Sequence, residues 1–392
     1  MKNSLEVADI FGAYGPVYRE AHGGEMPLRQ LRVMNAIEIC RTMELGGHVE
    51  ECDECGTLKI SYNSCRNRHC PKCQFLDKER WLEARKKDIL PTHYFHVVFT
   101  IPEQLRPIAL RNQKVVYGIL FKASSETLNE LAKNPKHLGA QIGFTALLHT
   151  WTQLLIDHPH IHCIVPGGGL SLDGKRWVCC RKKFFIPVAV ISALFRGKFL
   201  YYLKKAYYSG ELYFPGKIEE SGYKKAFEKL CTALYGKKWV VDSRPAFKTA
   251  ESVIDYLGRY THRVAITNDR IVKFEGDQVT FRYRDRDDND KIKYTTLDVF
   301  EFIRRFLFHV LPDGFMKIRH YGILSNRNKN EKLLRCKKLL GVPLNESDDK
   351  NESWQVLLFR ITGIDPRLCP HCGKGNMVRK ENFEPRRGRC PP

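Results

Sequence analysis

The sequence predicts an α+β fold: strands, two hairpins and helices follow one another along the chain, with an N-terminal helical, zinc-binding module and a small C-terminal tail. Three observations carry this. Stretches of period-two alternation recur, and two of them fold back through tight turns, which pairs their strands antiparallel. Helical apolar spacing fills the segments between. Two Cys-x-x-Cys knuckles near the N-terminus mark a metal-bound module. The 392 residues suffice for about two to three domains. We place them at 1–90 (helical and zinc-binding), 91–330 (the main domain, with the chemistry) and 331–392 (a basic extension carrying a further knuckle).

Leu28 to Leu45 carries Val33, Ala36, Ile37, Cys40 and Met43 at helical spacing, and Gly46-Gly47 stops it. The knuckles follow: Cys52-Asp-Glu-Cys55, then fourteen residues, then Cys70-Pro-Lys-Cys73. This spacing predicts one closed, structural Zn²⁺ site of four thiolates, with Cys65 and His69 as possible substitutes for one ligand. Arg66, Arg68 and Lys72 make the module basic, so it is either a DNA-contacting element or a folding staple.

Phe75 to Lys87 reads as a helix closed by Pro91. Tyr94 to Thr100 reads as a strand with Phe95, Val97 and Phe99 on one face. Pro107 to Leu131 is helical in pattern, and Phe144 to Leu148 is a short strand. Leu170 to Trp177 is a hairpin with an Asp173-Gly174 turn. Ile191 to Tyr208 is a helix, and another begins at Thr249. Ile271 to Tyr283 is a second hairpin, Val299 to Val310 a helix. Asn345 to Glu352 reads as a linker and Arg379 to Pro392 as disordered. Cys369-Pro-His-Cys372-Gly373 is half of a second zinc ribbon, with Cys336 and Cys390 as candidate partners.

The centre of the chain is Asp157-His-Pro-His160-Ile-His162-Cys-Ile-Val-Pro166, followed by three glycines. On a strand, His160, His162 and Ile164 point one way, and Ile161, Cys163 and Val165 the other. The second set packs on a core. The first sets two imidazoles one pleat apart, a ready pair of ligands for an open, catalytic metal site. Gln153 is the candidate third ligand and His158 its competitor. A carbonyl oxygen and waters completing the shell would suit Mg²⁺ or Mn²⁺ better than Zn²⁺.

Lys and Arg number 65 against 44 Asp and Glu, a net charge of +21, which points to a polyanion partner, most simply nucleic acid. The charges do not gather on one amphipathic helix, which argues against a membrane surface. The longest apolar run, Phe184 to Phe195, is about 12 residues, too short to span a bilayer. The polar opening Met1-Lys2-Asn3-Ser4 does not read as a signal peptide. A soluble, cytoplasmic protein is expected. There its fourteen cysteines are thiols and metal ligands rather than disulfides.

Tyr256 and Tyr260 are four apart on an expected helix and share a face. Arg259 and Arg263 flank them. With a two-histidine metal strand upstream, they suggest phosphoryl transfer to a phenol. A tyrosine oxygen displaces the 3′ oxygen of a DNA phosphodiester and leaves a 5′-phosphotyrosine. The bond energy is kept, so no nucleotide cofactor is needed. Tyrosine's reference pKa near 10 means that it needs activation.

These residues resemble a known family. His160-Ile161-His162 matches the histidine-hydrophobe-histidine motif of HUH endonucleases, and Tyr256-x-x-x-Tyr260 their two-tyrosine class. The cysteine module, His158 to Gly169, Tyr256 to Arg263 and Ile318-Arg-His-Tyr-Gly322 stand in the order seen in rolling-circle insertion-sequence transposases of the IS-ninety-one type. The resemblance covers about residues 10 to 330. It implies a bacterial transposase that nicks one strand at an element end, becomes joined to the 5′ end and transfers the single strand to target DNA. It implies an antiparallel palm with the histidines on a central strand, catalytic Tyr256 and Tyr260, and ligands His160, His162 and, by position, Gln153. No phosphate-loop motif is present, so host replication or helicase factors would unwind DNA, with the protein at the nucleoid when it acts. Two rivals remain at this stage: a plasmid replication initiator or relaxase, and a non-catalytic zinc-bearing DNA-binding protein. The terminal hairpin, the target sequence and the oligomeric state are not written in these motifs.

Overall fold

The computed structural model describes residues 5–180, 185–247, 252–253, 258, 265–285, 288–343 and 353–386. It is a mixed α+β structure of antiparallel sheets and helices. The chain forms two compact units, Met1–Trp81 with His262–Val310 and Glu346–Pro392, and Leu82–Thr261 with Leu311–Asn345. Both units are built from separated stretches of sequence.

The first unit packs helix Val7–His22 against Leu28–Glu38 and Val299–Phe308. Helix Val299–Phe308 buries Val299, Phe302, Ile303, Phe306 and Leu307 along one stripe. Phe306 meets Phe11 edge to face at 5.2 Å between centroids. The Asp298 carboxylate caps that helix by accepting from the N–H groups of Phe300 and Glu301. Ahead of it lies the three-stranded sheet Ile271–Glu275, Gln278–Asp285 and Lys291–Asp298. The expected second hairpin is its first two strands, turning through Gly276 at φ +54°. A second sheet orders Met377–Phe383, Gly47–Cys52 and Leu58–Tyr62. The tail expected to be disordered from Arg379 therefore supplies an edge strand through Phe383. Its backbone groups are satisfied by pairing with Gly47–Cys52.

The second unit holds the five-stranded antiparallel sheet. Its order is Ile318–Gly322, Gly143–Trp151, Asp157–Pro166, Tyr94–Thr100, Val241–Phe247. The histidine strand is central, as the family resemblance implies. One face of the sheet is apolar: Phe95, Val97 and Phe99, Phe144, Ala146 and Leu148, and Ile161, Cys163 and Val165 are all buried. They form one core with helices Gln113–Lys133 and Val188–Tyr208, through Leu120, Phe121, Phe195 and Phe199. That burial anchors the sheet, at roughly 1.5–3 kcal/mol per large apolar side chain, and fixes which residues face the other way.

The expected helix from Pro107 to Leu131 is two helices, Arg106–Arg111 and Gln113–Lys133. Asn112 breaks it. Its amide donates to the carbonyls of Ile108 and Tyr213 at 2.9 and 2.8 Å and accepts from the Tyr213 N–H at 2.7 Å. The Asp173-Gly174 hairpin forms, with Leu170 opposite Trp177. Glycine is required after Pro166. A Cβ on Gly167 would clash with the edge of the His93 ring, and one on Gly169 would meet the Gln141 carbonyl at 2.5 Å. Among the described residues no helix is long and apolar enough to cross a membrane.

Candidate metal centres

The polar face of the five-stranded sheet carries histidines on adjacent strands. His160 and His162 stand one pleat apart on Asp157–Pro166, and His149 on Gly143–Trp151 is registered opposite His160. His149, His160 and His162 each offer a ring nitrogen, all within 4.8 Å of one another. Ring centroids lie 4.6 Å apart for His149 and His162, and 4.7 Å for His160 and His162. His149 and His162 are buried, at 4% and 6% exposure.

Neighbouring groups orient two of these rings. His160 Nδ1 lies 2.6 Å from the His158 carbonyl oxygen. A carbonyl only accepts, so Nδ1 carries the proton and Nε2 keeps the lone pair a metal requires. His162 Nδ1 lies 2.7 Å from His96 Nε2, and the two ring planes are within 8° of parallel. This contact occupies Nδ1 of His162 and leaves its Nε2 as the ring nitrogen turned to the cluster in the tautomer that donates Nδ1–H to His96. Such outer partners fix tautomer and ring direction at metal sites.

Three imidazoles on paired strands fit a divalent transition ion. His149 is the member that sequence reading missed, because the strand expected at Phe144–Leu148 stops one residue short of it. The signal was the continued alternation Leu147, His149, Trp151. Gln153 lies in the turn between the two strands and is partly buried. His158, the competing candidate, is engaged elsewhere: Arg106 Nη2 donates to its Nδ1 at 3.0 Å. Burial first, and the Arg106 charge second, lower the His158 pKa.

Two further groups stand near this strand. Both carboxylate oxygens of Asp157, a half-buried residue, are shielded from solvent, and neither has a hydrogen-bond partner. Burial pushes its pKa up to about 7, with the Arg106 charge opposing. His320, from the Ile318-Arg-His-Tyr-Gly322 motif, sits across Thr145, whose Oγ1 is 3.0 Å from His320 Nδ1. Arg85 Nη1 is 3.3 Å from its Nε2. Burial, reinforced by the Arg85 charge, lowers the His320 pKa to about 4. Arg85 and Lys329 both pair with Asp88.

The expected single Cys52/Cys55/Cys70/Cys73 site is corrected by the structure. Its knuckles belong to two different four-cysteine clusters, Cys40/Cys65/Cys70/Cys73 and Cys52/Cys55/Cys369/Cys372. Cys40 is freed for the first because its helix ends at Glu38 and the chain turns before Met43. Its Sγ lies 3.4 Å from Cys73 Sγ, and Cys65 Sγ lies 3.5 Å from Cys73 Sγ. Cys336, once a candidate partner of the tail knuckle, is instead buried with Leu90, Leu170, Ile323 and Leu333. Cys390 lies outside the described residues. Arg66 is exposed at φ +55° and Arg68 partly buried, both on the loop between Cys65 and Cys70. Tyr256, Tyr260, Arg259 and Arg263 lie outside the described residues.

Comparison with known proteins adds independent findings. Residues 10–101 match a family model described as "Transposase zinc-binding domain", and residues 143–332 one described as "Putative transposase". The chain is 49% identical over 385 residues to "Putative transposase y4qJ" of Sinorhizobium fredii, covering 98% of this chain and 96% of that protein. The chain belongs to the insertion-sequence transposases of the IS-ninety-one type. The transposase is also 25% identical over 355 residues to "Transposase for insertion sequence element IS801" of Pseudomonas savastanoi pv. phaseolicola, covering 88% of this chain and 83% of that protein. No solved structure matches it. The cysteine cluster Cys40/Cys65/Cys70/Cys73 falls wholly within the zinc-binding match, and the three histidines within the other.

Proposed function

We propose that this transposase nicks one DNA strand at an element end through a tyrosine, then transfers that strand to target DNA by the rolling-circle route. The supporting observation is the three-imidazole cluster on the central strands of the sheet. His149, His160 and His162 would hold a divalent ion. When bound, such an ion polarises a phosphate oxygen and offsets the charge that develops there. Gln153 is the reserve oxygen ligand.

Three imidazoles are a softer donor set than carboxylates and waters. That favours Mn²⁺ over Mg²⁺ within the pair expected from the motif. The His158 carbonyl holds the His160 ring in one tautomer and His96 holds the direction of the His162 ring, which limits reorientation as the substrate arrives.

The phenol oxygen of Tyr256 or Tyr260 forms the new bond to phosphorus. The bond from phosphorus to the 3′ oxygen breaks, and that oxygen takes up a proton to leave a 3′ hydroxyl. One phosphodiester replaces another. The covalent 5′ end is released when a 3′ hydroxyl attacks the phosphotyrosine in the reverse sense. Two tyrosines permit two such joints, one for each transfer. Arg259 and Arg263 beside them, and Arg66 and Arg68 on the zinc module, are proposed phosphate contacts. Single-stranded DNA is the proposed substrate, with strand separation supplied by host replication or helicase factors.

The test compares wild type with His160→Ala for strand cleavage and for DNA binding in Mn²⁺. Cleavage lost with binding retained is the expected result. Unchanged cleavage by His160→Ala would remove the metal from the account.

A further inference from the structure

The tail knuckle lies beyond both family matches, yet the structure gives it a partner. We propose that the transposase binds a second zinc ion through Cys52, Cys55, Cys369 and Cys372, which fastens the C-terminal segment to the N-terminal module. The paired thiols stand 314 and 320 residues apart in sequence.

The sulfur geometry supports zinc over a disulfide. Cys52 Sγ lies 3.7 Å from Cys372 Sγ, and Cys55 Sγ 3.7 Å from Cys369 Sγ. All four sulfurs fall within 4.8 Å of one another. Four sulfurs at about 2.3 Å from a tetrahedral zinc stand about 3.8 Å apart, whereas a disulfide requires about 2.05 Å. The observed separations fit the ion.

The two knuckles are built alike. In the first, the Cys55 N–H points at Cys52 Sγ at 3.5 Å, and Gly56 turns the chain at φ +70°. In the second, the N–H groups of His371 and Gly375 point at Cys369 Sγ and Cys372 Sγ, each at 3.4 Å, and Gly373 turns at φ +67°. Main-chain N–H groups aimed at sulfur stabilise thiolate, the form that binds metal.

The surrounding backbone draws the halves together. Strand Met377–Phe383 pairs with Gly47–Cys52, with Cys52 opposite Met377. Beside the sulfurs, the Asp53 N–H donates to the Asn376 carbonyl at 3.1 Å, and the Asn376 N–H donates to Asp53 Oδ1 at 2.7 Å. Gly375 leaves the room that this approach needs, since a Cβ there would meet Cys52 Sγ at 2.5 Å. A chain cut before Cys369 keeps only half of the site.

The experiment counts zinc per chain by elemental analysis in full-length protein that carries His149→Ala and His160→Ala, so that the histidine cluster holds no zinc. It compares the chain with all its cysteines against one that also carries Cys369→Ser and Cys372→Ser. Two zinc ions with all cysteines present and one without the tail pair are expected. One zinc in the first, or two in the second, would overturn the proposal. The count on the chain with all its cysteines guards by itself against misfolding of the other. Zinc-edge X-ray absorption of that chain should give four sulfur neighbours at about 2.3 Å averaged over two ions. A single ion, or an average shell with nitrogen or oxygen in place of sulfur, would also overturn it.

Discussion

His149 stands directly opposite His160 in the pairing of Gly143–Trp151 with Asp157–Pro166, and their rings meet edge to face at 5.6 Å between centroids. His149→Ala should therefore cost as much cleavage as His160→Ala. That loss should exceed the roughly 100-fold that removing an outer-sphere partner costs at most. Single-turnover cleavage in Mn²⁺ measures it. Cleavage within a few-fold of wild type would exclude His149 as a ligand and return that role to Gln153.

His96 is not one of the three clustered ligands and meets His162 Nδ1 through its Nε2 at 2.7 Å, so His96→Ala should behave differently. Apparent Mn²⁺ affinity should fall by about 10- to 100-fold, and saturating Mn²⁺ should restore cleavage. A titration of cleavage rate against Mn²⁺ separates this from loss of a direct ligand, which saturation does not rescue.

Asp157 and His320 give opposite pH dependences of stability. Burial raises the Asp157 pKa from 3.8 to about 7. The folded state then binds more protons than the unfolded chain across that interval, and stability falls as pH rises through it. Asp157→Asn should remove this slope, so its melting temperature should gain on wild type at pH 8 relative to pH 5. Burial lowers the His320 pKa from 6.5 to about 4. There the unfolded chain takes up the extra proton, and stability falls as pH drops through that interval. His320→Gln should flatten the acid side instead. Thermal melts of both variants at the two pH values check the signs.

The charge of +21 should make DNA binding steeply salt-dependent. Each phosphate neutralised on a single strand adds about 0.7 to the slope of log affinity against log salt. Binding isotherms between low and physiological ionic strength measure it, and a flat profile would dissociate the basic excess from DNA.

How much of this was legible in the sequence follows from the range of the interactions. The His160 and His162 pair was readable because alternation on one strand is local. Tyr94–Thr100 and the Ile271–Tyr283 hairpin were readable for the same reason. His149 was not, because its role depends on register between two strands, which long-range packing fixes. The cysteines misled for a related cause. Cys52/Cys55 and Cys70/Cys73 have the spacing of one ribbon, yet the structure gives each knuckle other partners. Cys40 was hidden in a helical pattern, and Cys369 and Cys372 lie more than 300 residues from the thiols they meet. Asn112 was hidden inside a continuous apolar stripe, because a single side-chain amide bonding the backbone leaves no periodic trace.

The most direct test of the central claim is covalent capture of DNA. Full-length protein is incubated with single-stranded DNA carrying an element end and Mn²⁺, denatured, and resolved for a protein–DNA band. Wild type should give a metal-dependent adduct that disappears in the Tyr256→Phe, Tyr260→Phe double variant. An adduct that survives in the double variant, or cleavage that yields none in wild type, would contradict tyrosine-mediated transfer.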